Sequence, residues 1–232
     1  MKEKNVKPEK TYEKVVEYIR EEIWRGNLKR GERLPPERDL AELLGVSRNS
    51  VREALRTMSL MGFVSSVQGA GNFVSCDLEK NLSETFRMMM LLGETNYMQV
   101  SQLRRGLEGE TARLAALRVT SKQLVKFDEI VAHMQEETDN ARAAKLDQQF
   151  HALLVETAGN KLIHALFSAM ITTVNEFIAT MYVRIFDSEH TGSLLLAAHK
   201  SIVEALRAHD EQAALHAIWK HFEIVDSAIR HM

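Results

Sequence analysis

A single cysteine, Cys76, occurs in 232 residues. One cysteine builds neither an internal disulfide nor a cysteine-rich zinc finger, so a reducing compartment is the simplest expectation. Long apolar runs are missing too. No stretch approaches the roughly eighteen residues of a transmembrane helix, so no membrane partner is expected. The opening Met1-Lys2-Glu3-Lys4-Asn5-Val6-Lys7 lacks the apolar core of a secretory signal, and a cytoplasmic location follows as the expectation. Proline is scarce: Pro8, Pro35 and Pro36 are all there is, and none follows residue 36. From Leu78 onward only Gly93, Gly106, Gly109, Gly159 and Gly192 interrupt the chain. A stretch so poor in breakers is helical.

What is present divides at nearly the same place. Apolar residues at 45% and charged residues at 27% describe a folded globular chain. Through Cys76 there are 14 basic and 11 acidic residues, leaving +3. The remainder holds 16 basic and 21 acidic residues, leaving -5. All nine histidines follow residue 132. These shifts predict two domains, residues 1–76 and 77–232. A balance of +3 is only a weak pointer to nucleic acid, so motifs must carry that reading.

In residues 11–25, Val15, Tyr18, Ile19 and Ile23 recur at helical spacing. Pro35 and Pro36 suit a helix start, Leu40, Leu43 and Leu44 give that helix an apolar side, and Gly45 ends it. Ser47 is placed to cap a second helix over 48–61. Val51, Ala54, Leu55 and Met58 form its buried stripe, while Arg48, Arg52 and Arg56 form another. Two helices joined by a tight turn containing glycine make a helix-turn-helix. Two short β-like runs flank Gln68-Gly69-Ala70-Gly71, which predicts a hairpin wing.

The chemistry follows from that placement. The second helix presents its N-terminal residues to the major groove of double-stranded DNA. Arg48 and Arg52 fork onto guanine or clamp phosphate, Asn49 reads an adenine edge, and Ser47 and Ser50 suit phosphate oxygens. Gly69 and Gly71 admit a close approach of the wing backbone to the sugar-phosphate chain. A solvated arginine face is the plain alternative. The ordered Pro-Pro-Glu-Arg start, Gly-Val-Ser-Arg turn and Gly-x-Gly wing argue against it.

Residues 11–75 resemble the winged helix-turn-helix of the GntR family of bacterial transcription regulators. The likeness rests on Gly31, Leu34-Pro35-Pro36-Glu37-Arg38, Leu40-Ala41, Val46-Ser47-Arg48, Val51-Arg52-Glu53-Ala54-Leu55, Gly62 and Gly69-x-Gly71-x-Phe73-Val74. It implies that Arg38, Arg48 and Arg52 contact operator DNA and that the wing, Gln68 to Gly71, enters the minor groove.

The second part reads as helices near 79–92, 98–118, 121–139, 142–158, 160–187, 193–208 and 211–230. About seven helices in this length make one all-α antiparallel bundle, so the fold expected is mainly α: a winged helix-turn-helix followed by that bundle. Polar residues on its apolar stripes are informative. Asp147 and His151 share one face with Phe150, Leu153 and Leu154 close by. His199 lies among Leu195, Leu196, Ile202, Val203 and Leu206, and His221 among Ala214, Ala217, Ile218 and Val225. A buried carboxylate is costly unless paired or bound to a metal. One Asp and three His on inward faces suit Zn, Ni, Mn or Fe. Spacing alone favours hydrogen-bonded core histidines over a metal site. His216 reads as solvent-facing, and Trp219 and Phe222 read as buried anchors.

Residues 80–230 resemble the effector-binding helical domain of the FadR-like branch of the same family. The matching stretches are Leu103-Arg104-x-x-Leu107-Glu108, Leu114-Ala115-Ala116, Asp147-x-x-Phe150-His151, Gly159-Asn160 and His199-x-x-Ile202-x-x-Ala205 leading to His221. The resemblance implies that Asp147, His151, His199 and His221 ligate a divalent transition metal, and that Arg104 faces the effector cavity. A small carboxylate or hydroxycarboxylate would bind there, with Arg104 pairing it and Asn160 as a further contact. An Arg104–Glu108 surface pair and a plain turn at Gly159-Asn160 are the alternatives. The expectation is a ligand-responsive regulator, a repressor in the commoner arrangement, and not an enzyme. It would act as a homodimer on a pseudo-palindromic operator. The rivals are a metal-responsive regulator and a metal-dependent enzyme fused to a DNA-binding domain.

Overall fold

A computed structural model describes residues 11–171 and 189–230, with the side chains of residues 78, 189, 190 and 229 left aside. The chain forms two compact units, Met1–Asn81 and Leu82–Met232.

The first unit begins with α1 (Thr11–Trp24), α2 (Glu37–Leu44) and α3 (Arg48–Leu60). Val15 and Ile19 of α1, Leu40 of α2, and Val51, Ala54, Leu55 and Met58 of α3 close one apolar core. Gly45 ends α2 in the left-handed conformation. The Ser47 side chain then accepts the backbone N–H of Ser50 and starts α3, as a helix N-cap does. Strands β1 (Val64–Val67) and β2 (Gly71–Val74) pair antiparallel, with Val67 opposite Gly71 and Val64 opposite Val74. This is the expected wing. One feature was not foreseen: residues 31–34 lie along β2. The N–H groups of Gly31 and Leu34 donate to the carbonyls of Val74 and Asn72, both at 2.8 Å. Arg33 bridges antiparallel to Phe73.

The second unit holds α4 (Leu78–Leu91, whose first turn lies before the division), α5 (Tyr97–Arg118), α6 (Ser121–Glu136) and α7 (Asn140–Ala158). Next come α8, described over 161–171, then α9 (Glu189–Arg207) and α10 (Glu211–Arg230). The predicted helix 160–187 lies outside the described residues from 172 onward. Phe127, Phe150, Leu154, Ile202, Leu206, Ile218 and Phe222 fill the main core between α5, α6, α7, α9 and α10. Phe150 sits edge-on to Phe127 at 5.1 Å. Truncating such a ring to alanine costs about 3–5 kcal/mol. Gly109 permits the close approach of α5 to α10: a Cβ there would stand 2.9 Å from Nε1 of Trp219 and 3.1 Å from Leu215.

Three expectations need correction. The third bundle helix stops at Glu136, not 139, because Glu137 takes up extended backbone and its carboxylate accepts the N–H groups of Thr138 and Asp139. Asp139 then caps α7 by accepting from Arg142 N–H at 2.9 Å, so that helix starts at Asn140 rather than 142. Trp219 is not a buried anchor but 48% exposed. The buried stripe of α10 runs through Ala214, Ala217, Ile218, His221 and Phe222, and position 219 falls beside it.

Candidate functional site

In the first unit the residues expected at DNA lie on the surface. Arg38, Ser47, Arg48, Asn49, Arg52, Gln68 and Gly69 are exposed, and Ser50 and Gly71 are half-buried. Arg48, Asn49 and Ser50 form the first turn of α3, and Arg52 follows one turn later. The Arg52 Nε–H donates to Glu37 of α2 at 2.7 Å, so Glu37 orients the guanidinium. Arg38 leans on its neighbour Asp39 at 3.3 Å. The Ser47 and Ser50 hydroxyls lie 3.0 Å apart. At the wing, Gly71 has a φ of 110°, and a Cβ there would meet the Arg33 guanidinium at 3.0 Å. Arg33 is exposed. It is a basic residue at the wing that motif spacing missed, because only the pairing of 31–34 with β2 brings it there.

In the second unit four side chains converge from three helices. Asp147 and His151 project from α7, His199 from α9 and His221 from α10, and all four are buried. One ligand atom from each lies within 4.8 Å of all the others. Asp147 Oδ1 stands 3.2 Å from His199 Nε2, 3.5 Å from His221 Nε2 and 3.7 Å from His151 Nε2. None of these three nitrogens has a hydrogen-bond partner among the described residues. Aromatic rings wall the cluster. Phe150 meets His199 edge-on at 4.5 Å, and Phe222 meets His221 at 5.2 Å.

Further groups face the outer nitrogens of two of these rings, His199 and His151. His199 Nδ1 lies 2.8 Å from the Leu195 carbonyl, which can only accept. Nδ1 therefore donates to it, and Nε2 faces Asp147. His151 Nδ1 closely contacts the Glu108 carboxylate of α5. Glu108 also accepts from Arg104 Nε at 2.8 Å, and the Arg104 guanidinium lies over Phe222, 5.2 Å from the ring centroid. The i, i+4 pair of Arg104 and Glu108 thus exists, but it is buried rather than on the surface. Sequence reasoning did not single out Glu108 for a role at the cluster. Its position four residues after an inward arginine was the available signal. Asn160 takes a different part: its side-chain oxygen accepts the N–H groups of Leu162 and Ile163 at 3.0 and 3.2 Å, capping α8. His216 is exposed.

Electrostatics follow from burial and these contacts. Burial pushes Glu108 upward, but Arg104 and His151 outweigh it and hold its carboxyl at about 2. Burial likewise opposes ionisation of Asp147, yet His151, then His199 and His221, keep it well below the usual carboxylate range. Burial pulls His151 down, but Glu108 and Asp147 win and raise it to about 9. Burial lowers His221 to about 3. A cavity of about 460 Å³ beside the cluster has His199 in its wall, with Gln135, Asn140 and Ser193 among its polar lining.

An exposed basic recognition helix with a wing, joined in one chain to a helical unit with a buried ligand cluster, defines a DNA-binding regulator. Comparison with known proteins makes this specific. Residues 11–74 match the bacterial regulatory proteins of the gntR family, and residues 99–224 match the FCD domain. The Uxu operon transcriptional regulator of Escherichia coli is 31% identical over 94% of this chain and 86% of its own length. The HTH-type transcriptional repressor NanR of an Enterobacter species is 28% identical over 92% of this chain and 83% of its own. The solved structure of a Streptococcus agalactiae GntR protein superposes with a TM-score of 0.60 at 24% identity, covering 93% of this chain and 99% of that one. The chain belongs to the GntR family of transcription regulators and carries an FCD domain. These relatives are regulators, not enzymes, and no described helix is long and apolar enough to cross a membrane.

Proposed function

We propose that this protein is a homodimeric repressor whose helical unit binds a divalent transition metal together with a small carboxylate or hydroxycarboxylate. The observation that carries the reading is the buried convergence of Asp147, His151, His199 and His221 within 4.8 Å. Three inward ring nitrogens left without hydrogen bonds fit a cation better than they fit one another. The separations of 3.2, 3.5 and 3.7 Å from Asp147 Oδ1 are short enough for one cation, with ligand bonds of about 2.0–2.2 Å, to reach these atoms together. One carboxylate and three imidazoles suit Zn, Ni, Mn or Fe. When bound, the metal supplies a Lewis-acidic anchor for an anionic oxygen.

The chemistry of the centre argues for the effector class. A divalent cation is a Lewis acid, and Arg104 is a buried cation joined to the cluster through Glu108; both suit an anionic oxygen such as that of a carboxylate. Arg104 is the nearby cation to orient such a group. Asn160, engaged as a cap, is not carried into this reading.

For DNA, Arg48, Asn49, Ser47, Ser50 and Arg52 would face the major groove, Arg38 the backbone, and Gln68, Gly69 and Gly71 the minor groove. Two such units in a dimer match a pseudo-palindromic operator. NanR is named a repressor, which favours repression here. Effector control requires that the acid bind the free and DNA-bound states differently.

Native mass spectrometry of untagged protein purified without chelator tests the reading, followed by elemental and small-molecule analysis of the same sample. The expected result is a dimer with one transition metal per subunit and a co-purified organic acid that weakens operator binding in a gel-shift assay. Metal alone changing operator affinity, with no acid needed, would favour a metal-responsive regulator. A monomer without metal would overturn the proposal.

A further inference from the structure

Among the buried ionisable groups outside the four proposed ligands, Glu108 stands out. It lies on α5, which supplies no ligand to the cluster, and its carboxylate is fully buried. Oε1 is held by Arg104 at 2.8 Å. Oε2 and His151 Nδ1 face one another in close contact, yet neither has an aligned hydrogen bond among the described residues. A buried polar atom left unpaired costs about 1–3 kcal/mol, and more when charged. The two atoms are near enough to serve as each other's partner.

That pairing decides which nitrogen of His151 can bind a cation. A carboxylate only accepts, so Nδ1 keeps its proton while it faces Glu108, and Nε2, 3.7 Å from Asp147 Oδ1, is the nitrogen left to give up its proton to a cation. The opposite tautomer would aim an N–H into the cluster and deny it one ligand. We propose that Glu108 is a positioning residue of the metal centre: it fixes His151 with Nδ1 protonated and Nε2 turned to the cation, and Arg104 locks it in place. The inference rests on reading the four-residue cluster as a metal site.

His199 reaches the same end by another device, the neutral Leu195 carbonyl. Glu108 differs in bringing a full negative charge, which raises the basicity of the ring it holds. Arg104 accordingly has its Nε committed to Glu108, so an arriving acid meets a guanidinium already tied to the metal ligands through one carboxylate.

Zn²⁺ alone is the probe. Full-length wild type, Glu108→Gln and Glu108→Ala are compared by competition against a chromophoric chelator, with circular dichroism to verify folding. Zn²⁺ affinity should fall about 10–100-fold in Glu108→Ala. The loss should be smaller in Glu108→Gln, whose amide oxygen still accepts from Nδ1–H but lacks the charge. Ring-¹⁵N NMR of the loaded proteins reads the tautomer itself. Wild type and Glu108→Gln should show His151 protonated at Nδ1 and coordinated at Nε2, and Glu108→Ala should lose that fixed state. Equal affinity and unchanged His151 signals in both variants overturn the proposal. If Glu108→Ala does not fold, Glu108→Gln decides alone: a several-fold drop supports the proposal, and none overturns it. Failure of the metal-site reading shows in the wild type, which would then not bind Zn²⁺. Failure of the present inference shows only in the variants.

Discussion

Arg38 and Arg52 of the N-terminal unit keep 73% and 66% of their side chains in solvent, whereas Arg104 and Glu108 of the helical unit are at 7% and 0%. The exposed arginines are tethered lightly, each to one acidic side chain on the surface. The buried pair is tied into a network of two carboxylates, three imidazoles and an aromatic ring. The difference follows from the partners proposed for each unit. A DNA backbone is a large polyanion that comes to the protein surface, and its attraction is tuned by salt. A metal and a small acid must be drawn out of water, which only fixed charges in a low-dielectric interior accomplish. One unit therefore needs charge that is available, and the other needs charge that is already organised.

The sharpest way to break this division is to remove a ligand. His199→Ala should lower metal affinity by more than the 10–100-fold or so expected for an outer partner and abolish the response to acid. Operator binding should persist, because the N-terminal unit has its own core. Metal analysis and gel shifts on one preparation check both. Full metal occupancy in the variant would remove His199 from the ligand set, and lost operator binding would show that the two units are not separable in this way.

The pH response sharpens the same contrast, since the shifted groups cited all lie in the buried cluster. Without metal, His151 has a folded-state value near 9 against an ordinary 6.5. Its contribution to stability is complete below pH 6.5 and is lost as pH rises through 9. His221, lowered to about 3, contributes above 6.5 and loses that contribution as pH falls toward 3. Chelator-treated protein should therefore be most stable near neutral pH. Metal-loaded protein should not weaken between pH 6.5 and 9, because a ligating His151 Nε2 carries no proton to lose. Thermal unfolding with and without Zn²⁺ across this range checks the prediction; identical profiles would count against a metal at His151.

On the exposed side, Arg48→Ala and Arg52→Ala should each weaken operator binding by about 1–3 kcal/mol where the arginine reads a base. Metal content should stay unchanged. Log affinity should also fall linearly with log salt. Fluorescence anisotropy over a salt series separates the cases. A variant that lowers the slope without altering base preference marks a phosphate contact, and unchanged affinity removes that residue from the interface.

The units also differed in how far they could be read before the structure was known. In residues 31–74 the punctuation is dense: Pro35-Pro36, Gly45, Ser47 and the Gly69-x-Gly71 turn mark nearly every boundary, and the elements fall where those residues put them. The bundle has few such marks. The break after Glu136 contains neither proline nor glycine and depends on Glu137 and Asp139 capping backbone N–H groups, a signal easily taken for more helix. Periodicity put Asp147, His151, His199 and His221 on inward faces, but only packing brings α7, α9 and α10 together at one point. Glu108 and Arg33 were the least legible. Each matters because of a neighbour far away in the chain, His151 in one case and Gly71 in the other.

The smallest effect expected is at Ser47, where one side chain serves both fold and surface. Its oxygen accepts Ser50 N–H at 3.1 Å, and it stands at the edge of the proposed DNA interface. Replacing a capping serine by alanine costs about 0.5–2 kcal/mol of stability, while glycine costs only a few tenths. Both variants lose the hydroxyl equally. If Ser47 only caps, Ser47→Ala should lower the unfolding temperature of the N-terminal unit more than Ser47→Gly, and operator affinity, measured well below that temperature, should hold in both. If the hydroxyl also meets a phosphate, both variants should lose affinity to the same degree whatever their stability. Parallel thermal melts and anisotropy titrations distinguish the two. Equal loss of affinity would place a contact that is not arginine at the mouth of α3, and affinity held in both variants would leave Ser47 a cap.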